Sequence, residues 1–210
     1  MAWDMVSSSD WLFSALQRVD MLRASEKKGR GAKELVNTFL KYFQNNKTPT
    51  FGWIHFMDVH HPYLPDQDSF RDRVSYPRQL ISYVNNASVR PGVSLGNFGK
   101  RFLRKIYDRK VTEVDQWLRH LVETARQPHG RDLVVIIVGD HGEEFREHGR
   151  FNHANKPYNE LIHVPLLIHG VEAGDISRNV SLIDLKRVIE AIGRGKQNII
   201  DYFETERPVC

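Results

Sequence analysis

At 210 residues, 40% of them hydrophobic, the chain is long enough for one domain with a real core, or for most of a larger one. Its net charge of +4 comes from 30 Lys and Arg spread along the chain, which argues against nucleic acid, although a basic surface also attracts an anionic ester. No run approaches the roughly 18 apolar residues of a membrane span, and the start lacks a signal peptide's basic and apolar segments, so the sequence as written reads as soluble and cytoplasmic.

Residues 1–30 form an N-terminal extension with one amphipathic stretch at 11–22, and Ser7-Ser8-Ser9-Asp10 reads as its helix cap. Helical spacing of Leu35, Val36, Phe39, Leu40 and Phe43 predicts a helix over 32–46. Thr48-Pro49-Thr50 breaks it, and 51–57 reads as a strand. Residues 64–99, rich in Pro, Asp, Ser, Asn and Gly, lack a sustained period and read as a long functional loop. A long helix is expected over 100–126, with Phe102, Leu103, Ile106, Val111, Val114, Trp117, Leu118 and Leu121 on its buried stripe. Residues 133–138 are apolar throughout, the pattern of a strand inside a parallel sheet. A second short strand is expected at 163–168 and a helix at 182–192, capped by Gly193. The order of helices and strands gives an α/β class, and residues 194–210 form a tail.

Two motifs follow apolar strands, where open α/β sheets bind their ligands. Asp140-His141-Gly142-Glu143-Glu144 puts a carboxylate and an imidazole beside a glycine that permits a tight turn, half of a metal site. The competing reading is an Asp that caps a helix and a histidine that merely packs. His148, His153 and Lys156 follow in a polar, glycine-containing stretch, and cationic groups gathered there suit the oxygens of an anionic ester. Met57-Asp58-Val59-His60-His61-Pro62-Tyr63 reaches the same sheet edge, and a histidine there can bind an anion or protonate a leaving group. Paired histidines in loops are also often structural.

These segments resemble the sulfatases of the alkaline-phosphatase-like superfamily. Phe56 to Tyr63 is similar to the family's strand ending in histidine, a variable residue and proline. Tyr107, Asp108, Val111, Val114 and Asp115 resemble its long helix, and Val134 to Glu144 with Glu147-His148-Gly149 resemble its Asp-His-Gly-Glu and Glu-His-Gly pair. Tyr158 to Pro165 and Ser181 to Leu185 match the segments that follow, so the resemblance covers roughly residues 31–193 in the family's order. It implies a three-layer α/β/α fold with a mostly parallel sheet, here incomplete, and a partial catalytic domain over 31–193.

The resemblance also implies roles. Asp140 and His141 are metal ligands, with calcium the first expectation and manganese or zinc the others. His60 contacts the substrate or protonates the leaving group. Lys156 lies near the family's anion-binding lysine, at a shorter spacing to Tyr158, and His153 is the other candidate for that role. The implied substrate is a sulfate or phosphate ester.

The family's nucleophile is a formylglycine made from a Cys/Ser-x-Pro-x-Arg motif, and the sequence contains no such motif. Its single cysteine, Cys210, lies at the wrong end for that motif, and a lone cysteine excludes disulfides within these 210 residues. The first strand with paired aspartates is also not found. Two ligands from one loop hold a hard divalent ion weakly, and no covalent enzyme intermediate forms without a nucleophile. The expectation is a metal-dependent sulfate-ester hydrolase in truncated form, inactive on its own. The alternatives are a phosphoryl or phosphoethanolamine transferase or phosphodiesterase on the same fold, and a degenerate, non-catalytic relative.

Overall fold

The computed structural model describes residues 31–45, 48–63, 78–89, 95–126, 133–153, 156–172, 174, 176 and 178–203. The expected helix at 11–22 and the end of the tail lie outside these residues. Helix α1 (Ala32–Asn45) buries Leu35, Val36, Leu40 and Phe43, the face its period predicted. Its first free N–H, on Ala32, donates to Asp58 Oδ1 at 3.0 Å. A carboxylate at this end satisfies an orphan donor and complements the helix dipole.

Residues 51–57, expected as a strand, form no strand and carry no ladder among the described residues. Helix α2 (Arg78–Ser88) occupies part of the segment read as loop, with Ile81, Val84 and Ala87 buried. Helix α3 (Gly96–Arg126) starts a turn earlier than its apolar stripe suggested. Val111 was assigned to that stripe, yet it is exposed, and Lys110 is buried in its place and pairs with Glu113. The neighbouring register thus faces the core, with the lysine's charge compensated within a turn.

Strand β1 (Val135–Val138) pairs with β4 (Leu166–His169), and strand β2 (Glu144–Phe145) pairs with β3 (Phe151–Asn152). Both ladders are antiparallel, from Val135 opposite His169 to Val138 opposite Leu166 and from Glu144 opposite Asn152 to Phe145 opposite Phe151. No parallel pair occurs among the described residues, in contrast to the expected parallel sheet. The physical reason is the connection. A parallel pair needs a crossover running back along the sheet, whereas the link from β1 to β4 folds into the β2–β3 hairpin and the one-turn helix α4 (Asn159–Ile162). The strand β1 is also half-buried rather than covered on both faces.

Beyond β4, a 3-10 turn (Leu182–Asp184) leads into helix α5 (Leu185–Gly193). Residues 194–203, read as part of a tail, bring Ile199 and Phe203 back against Val188.

Three apolar clusters hold these pieces. Val36, Leu40, Phe43 and Ala125 join α1 to the end of α3. Val188, Ile199 and Phe203 pack α5 against Leu166 and Ile168 of β4. Tyr63, Ile81, Val84, Phe102, Leu103, Ile106 and Phe145 form the third, where α2, α3 and β2 meet. Each such side chain contributes about 1.5–3 kcal/mol on burial. The third cluster matters most for function, because Tyr63 and Phe145 carry the two site motifs. No described helix is long and apolar enough to cross a membrane.

Candidate active site

The turn after β1 is fixed from two sides. Gly139 N–H donates to Pro165 O at 3.3 Å and Gly142 N–H to Leu161 O at 2.8 Å. A Cβ on Gly142 would lie 1.9 Å from Glu160 O, so only glycine allows this approach to α4. Between the two glycines the Asp140 side chain is 68% exposed. Its Oδ1 accepts the His141 backbone N–H at 3.0 Å. His141 Nδ1 lies 3.0 Å from Gly142 O. A carbonyl only accepts, so Nδ1 carries the hydrogen, and Nε2 is left as the free donor atom.

Glu143, just before β2, and Glu144, its first residue, then bind different partners. Glu144 is fully buried, and its Oε1 accepts N–H groups from His148 at 2.9 Å and Arg150 at 2.8 Å. It thereby holds the turn between β2 and β3. Glu143, its side chain 5% exposed, accepts from Tyr63 Oη at 2.8 Å and lies 3.2 Å from His153 Nδ1. Burial first, then the charge and hydrogen bond of Glu143, push the Tyr63 phenol far above the ordinary tyrosine range. Tyr63 therefore stays protonated and donating.

His60 joins this group from the other motif. Its ring centroid is 5.1 Å from that of His153 and 6.3 Å from that of His141, and those two are 4.3 Å apart. Its Nδ1 faces His61 O, which leaves Nε2 available for proton transfer. His61 turns away: its Nε2 lies 3.2 Å from Asn85 O and 3.4 Å from Ser88 Oγ, and burial holds its pKa below the ordinary imidazole value. Asn85 in turn fixes Tyr63, accepting its N–H at 3.0 Å and donating to its carbonyl at 3.2 Å.

Of the residues singled out from sequence, His60, His141 and His153 come together, with Asp140 at the edge of the group. His148 does not join them; it stacks on Tyr158 at 3.6 Å and pairs with Glu160 at 3.3 Å. Lys156 is exposed and makes no hydrogen bond or ion pair with the imidazoles among the described residues. Three participants carried no assigned role: Glu143, Tyr63, and His55, whose Nε2 is 3.8 Å from Asp140 Oδ2. A histidine inside the apolar run Ile54-His55-Phe56 was the available signal for the last.

The donors fit a divalent cation. Asp140 Oδ2 and His141 Nε2 are 3.9 Å apart, and His141, Glu143 and His153 offer ligand atoms within 4.8 Å of one another.

The family model described as Sulfatase matches residues 7–185. This chain belongs to the sulfatase family. Membership carries an alkaline-phosphatase-like α/β fold and, in general, use of a divalent metal. This sulfatase-family chain is also similar to an endo-4-O-sulfatase of Bacteroides thetaiotaomicron, 28% identical over 127 residues. That alignment covers 60% of the chain and 24% of the relative, so the chain spans about a quarter of the relative's length. No solved structure matches it at a significant level.

Proposed function

We propose that this chain supplies metal-binding, substrate-binding and acid–base groups for hydrolysis of a sulfate ester. The supporting observation is the convergence of His60, His141 and His153 beside Asp140 at the end of β1. In this reading Asp140 and His141 hold the divalent ion, which polarises the ester when bound. His60 uses Nε2 to protonate the departing oxygen, while its Nδ1–H stays on the His61 carbonyl. His153, with Lys156 approaching from the surface, faces the sulfate oxygens. The alkaline-phosphatase-like architecture would extend to three layers around a mainly parallel sheet, with residues 31–193 as the catalytic part between the 1–30 extension and the 194–210 tail. The 210 residues contain no Cys/Ser-x-Pro-x-Arg sequence. Alone, therefore, they bind and protonate but provide no nucleophile, and turnover by the isolated chain is not expected.

The donor chemistry favours one second reading, a phosphodiesterase or phosphoethanolamine transferase. Calcium takes oxygen ligands, whereas imidazole suits zinc, and imidazoles dominate here. The test is hydrolysis of 4-nitrophenyl sulfate and bis(4-nitrophenyl) phosphate by the protein that carries this chain. Sulfatase activity that disappears in Asp140→Ala supports the first reading. Normal turnover in that variant overturns the assignment, and preference for the phosphate diester moves it to the second reading.

A further inference from the structure

Away from the imidazoles, the closed end of the β2–β3 hairpin is tied to the start of α3 by Lys100 Nζ and Glu147 Oε1, 3.4 Å apart. Between the two elements opens a cleft of about 430 Å³, lined by Gly96, Asn97, Lys100, Arg146 and Gly149. These described lining residues include two cations and an amide, and no carboxylate or aromatic ring. Gly96 and Gly149 hold φ of +57° and +91°, and a Cβ on either would meet nothing within 4 Å. Part of the wall is therefore bare backbone, which a bound group can approach closely.

The surroundings carry the same charge. Arg101 and Arg104 are exposed on the helix face that Asn97 and Lys100 occupy, at i+4 and i+7 from the asparagine. Helix α3 has no Asp or Glu before Asp108. In the turn, Arg146 donates its N–H to the carbonyl of Arg150, whose side chain is exposed. Glu147 offsets part of this charge, but its pairing also holds Lys100 at the cleft. Arg146 and Arg150 stand three rungs along the hairpin from Glu143 and His153, about 10 Å at roughly 3.4 Å per residue. A lone sulfate cannot fill both places, whereas a chain with repeated anionic groups can.

We propose that this cleft is a second anion subsite, which takes a further sulfate or carboxylate of a polyanionic carbohydrate whose scissile ester lies beside His60 and His153. The guanidinium of Arg146 matches two oxygens of such a group, and Lys100 and the Asn97 amide add donors. Single-stranded nucleic acid needs aromatic platforms for its bases, and none lines the cleft. The inference rests on the proposed ester hydrolysis for the identity of the chain, and on the cleft itself for the anion.

Its test needs no turnover. A fluorescein-labelled dextran sulfate oligosaccharide is titrated into the full chain and followed by anisotropy. Affinity should fall as salt rises, and uncharged dextran should not compete. Lys100→Gln and Arg146→Gln should each weaken binding by about tenfold, the loss of one charged hydrogen bond, while Lys100→Arg should retain it. His153→Ala, at the other end of the bound chain, should weaken it by about twofold or more. Arg119→Gln, about 28 Å along α3 from Lys100, should change affinity by less than about twofold. Absence of binding, or binding indifferent to Lys100→Gln and Arg146→Gln, overturns the subsite. An equal loss in Arg119→Gln overturns it too, because the attraction is then diffuse, and an unchanged affinity in His153→Ala overturns the bridging. Stronger binding of duplex DNA or phosphatidylserine vesicles through the same residues overturns the carbohydrate assignment. 4-Nitrophenyl sulfate has no second anionic group, so its hydrolysis by the protein that carries this chain should be unchanged in Lys100→Gln. Failure of that assay in the unaltered protein leaves the titration intact, so the two readings fall separately.

Discussion

Tyr63 donates its hydroxyl to Glu143 at 2.8 Å and joins the His60 motif to the Asp140 motif. The tyrosine is 1% exposed and stands in the apolar cluster with Phe145, and the carboxylate is nearly as buried. A hydrogen bond to a charged acceptor in such surroundings contributes about 1.5–3 kcal/mol. Tyr63→Phe keeps the ring packing and removes only that bond. It should lower stability by about this amount in urea unfolding. In alkaline titration, Tyr63 should yield no tyrosinate absorbance until the protein unfolds, because burial and Glu143 both oppose ionisation.

Asp58 belongs to the same motif but serves the fold. It accepts the Ala32 N–H at the start of α1. Asp58→Ala should cost about 1 kcal/mol, the usual loss for a helix cap, and Asp58→Asn much less. Denaturant midpoints check both.

His61 and His60 differ in what surrounds them. Burial is the main cause of the lowered His61 pKa; His60 and His153 add to it, while the Asn85 carbonyl and Glu143 oppose it. A depressed folded pKa favours the neutral ring, so the unfolded chain binds more protons as the medium acidifies. The stability due to neutral His61 is therefore complete above the ordinary imidazole value of 6.5 and is lost as pH falls from there through the lower folded value. The melting temperature should drop on acidification below pH 6.5, and His61→Gln should reduce the slope. An unchanged slope would show that other groups control it.

Glu144 holds two backbone N–H groups of the hairpin turn with one oxygen. Its second oxygen, Oε2, is buried with no hydrogen-bond partner among the described residues, which offsets part of the gain. Glu144→Ala should still cost about 2 kcal/mol, because two backbone donors lose a charged acceptor. Hydrogen exchange at the His148 and Arg150 amides should accelerate more than at β1.

Gly142 has the narrowest tolerance. A methyl group there meets the Glu160 carbonyl at 1.9 Å, and backbone must move to admit it. Gly142→Ala should destabilise the protein by about 3 kcal/mol, the upper range for an overpacked site, and should displace His141. Thermal unfolding would detect the first effect, and loss of ester hydrolysis by the protein that carries this chain the second.

The candidate site was legible in sequence where a polar group directly follows an apolar run. Asp140, His141 and His60 could be found that way, because strand ends deliver side chains to a common edge. Helices α1, α3 and α5 were legible because a helix must bury one face of a 3.6-residue period. Helix α2 was not, because its buried face includes Asn85, which reads as loop until its bonds to Tyr63 and Ile81 are seen. The resemblance already offered His153 for the anion; tertiary structure sets its ring beside Glu143 through the hairpin register and holds His148 apart on Tyr158 and Glu160. It alone decided that β1 and β4 run antiparallel, because strand direction depends on the path of the connection, which an apolar run of residues does not record. The sequence thus determined which residues can do chemistry, and hydrogen-bond register and burial decided which of them meet.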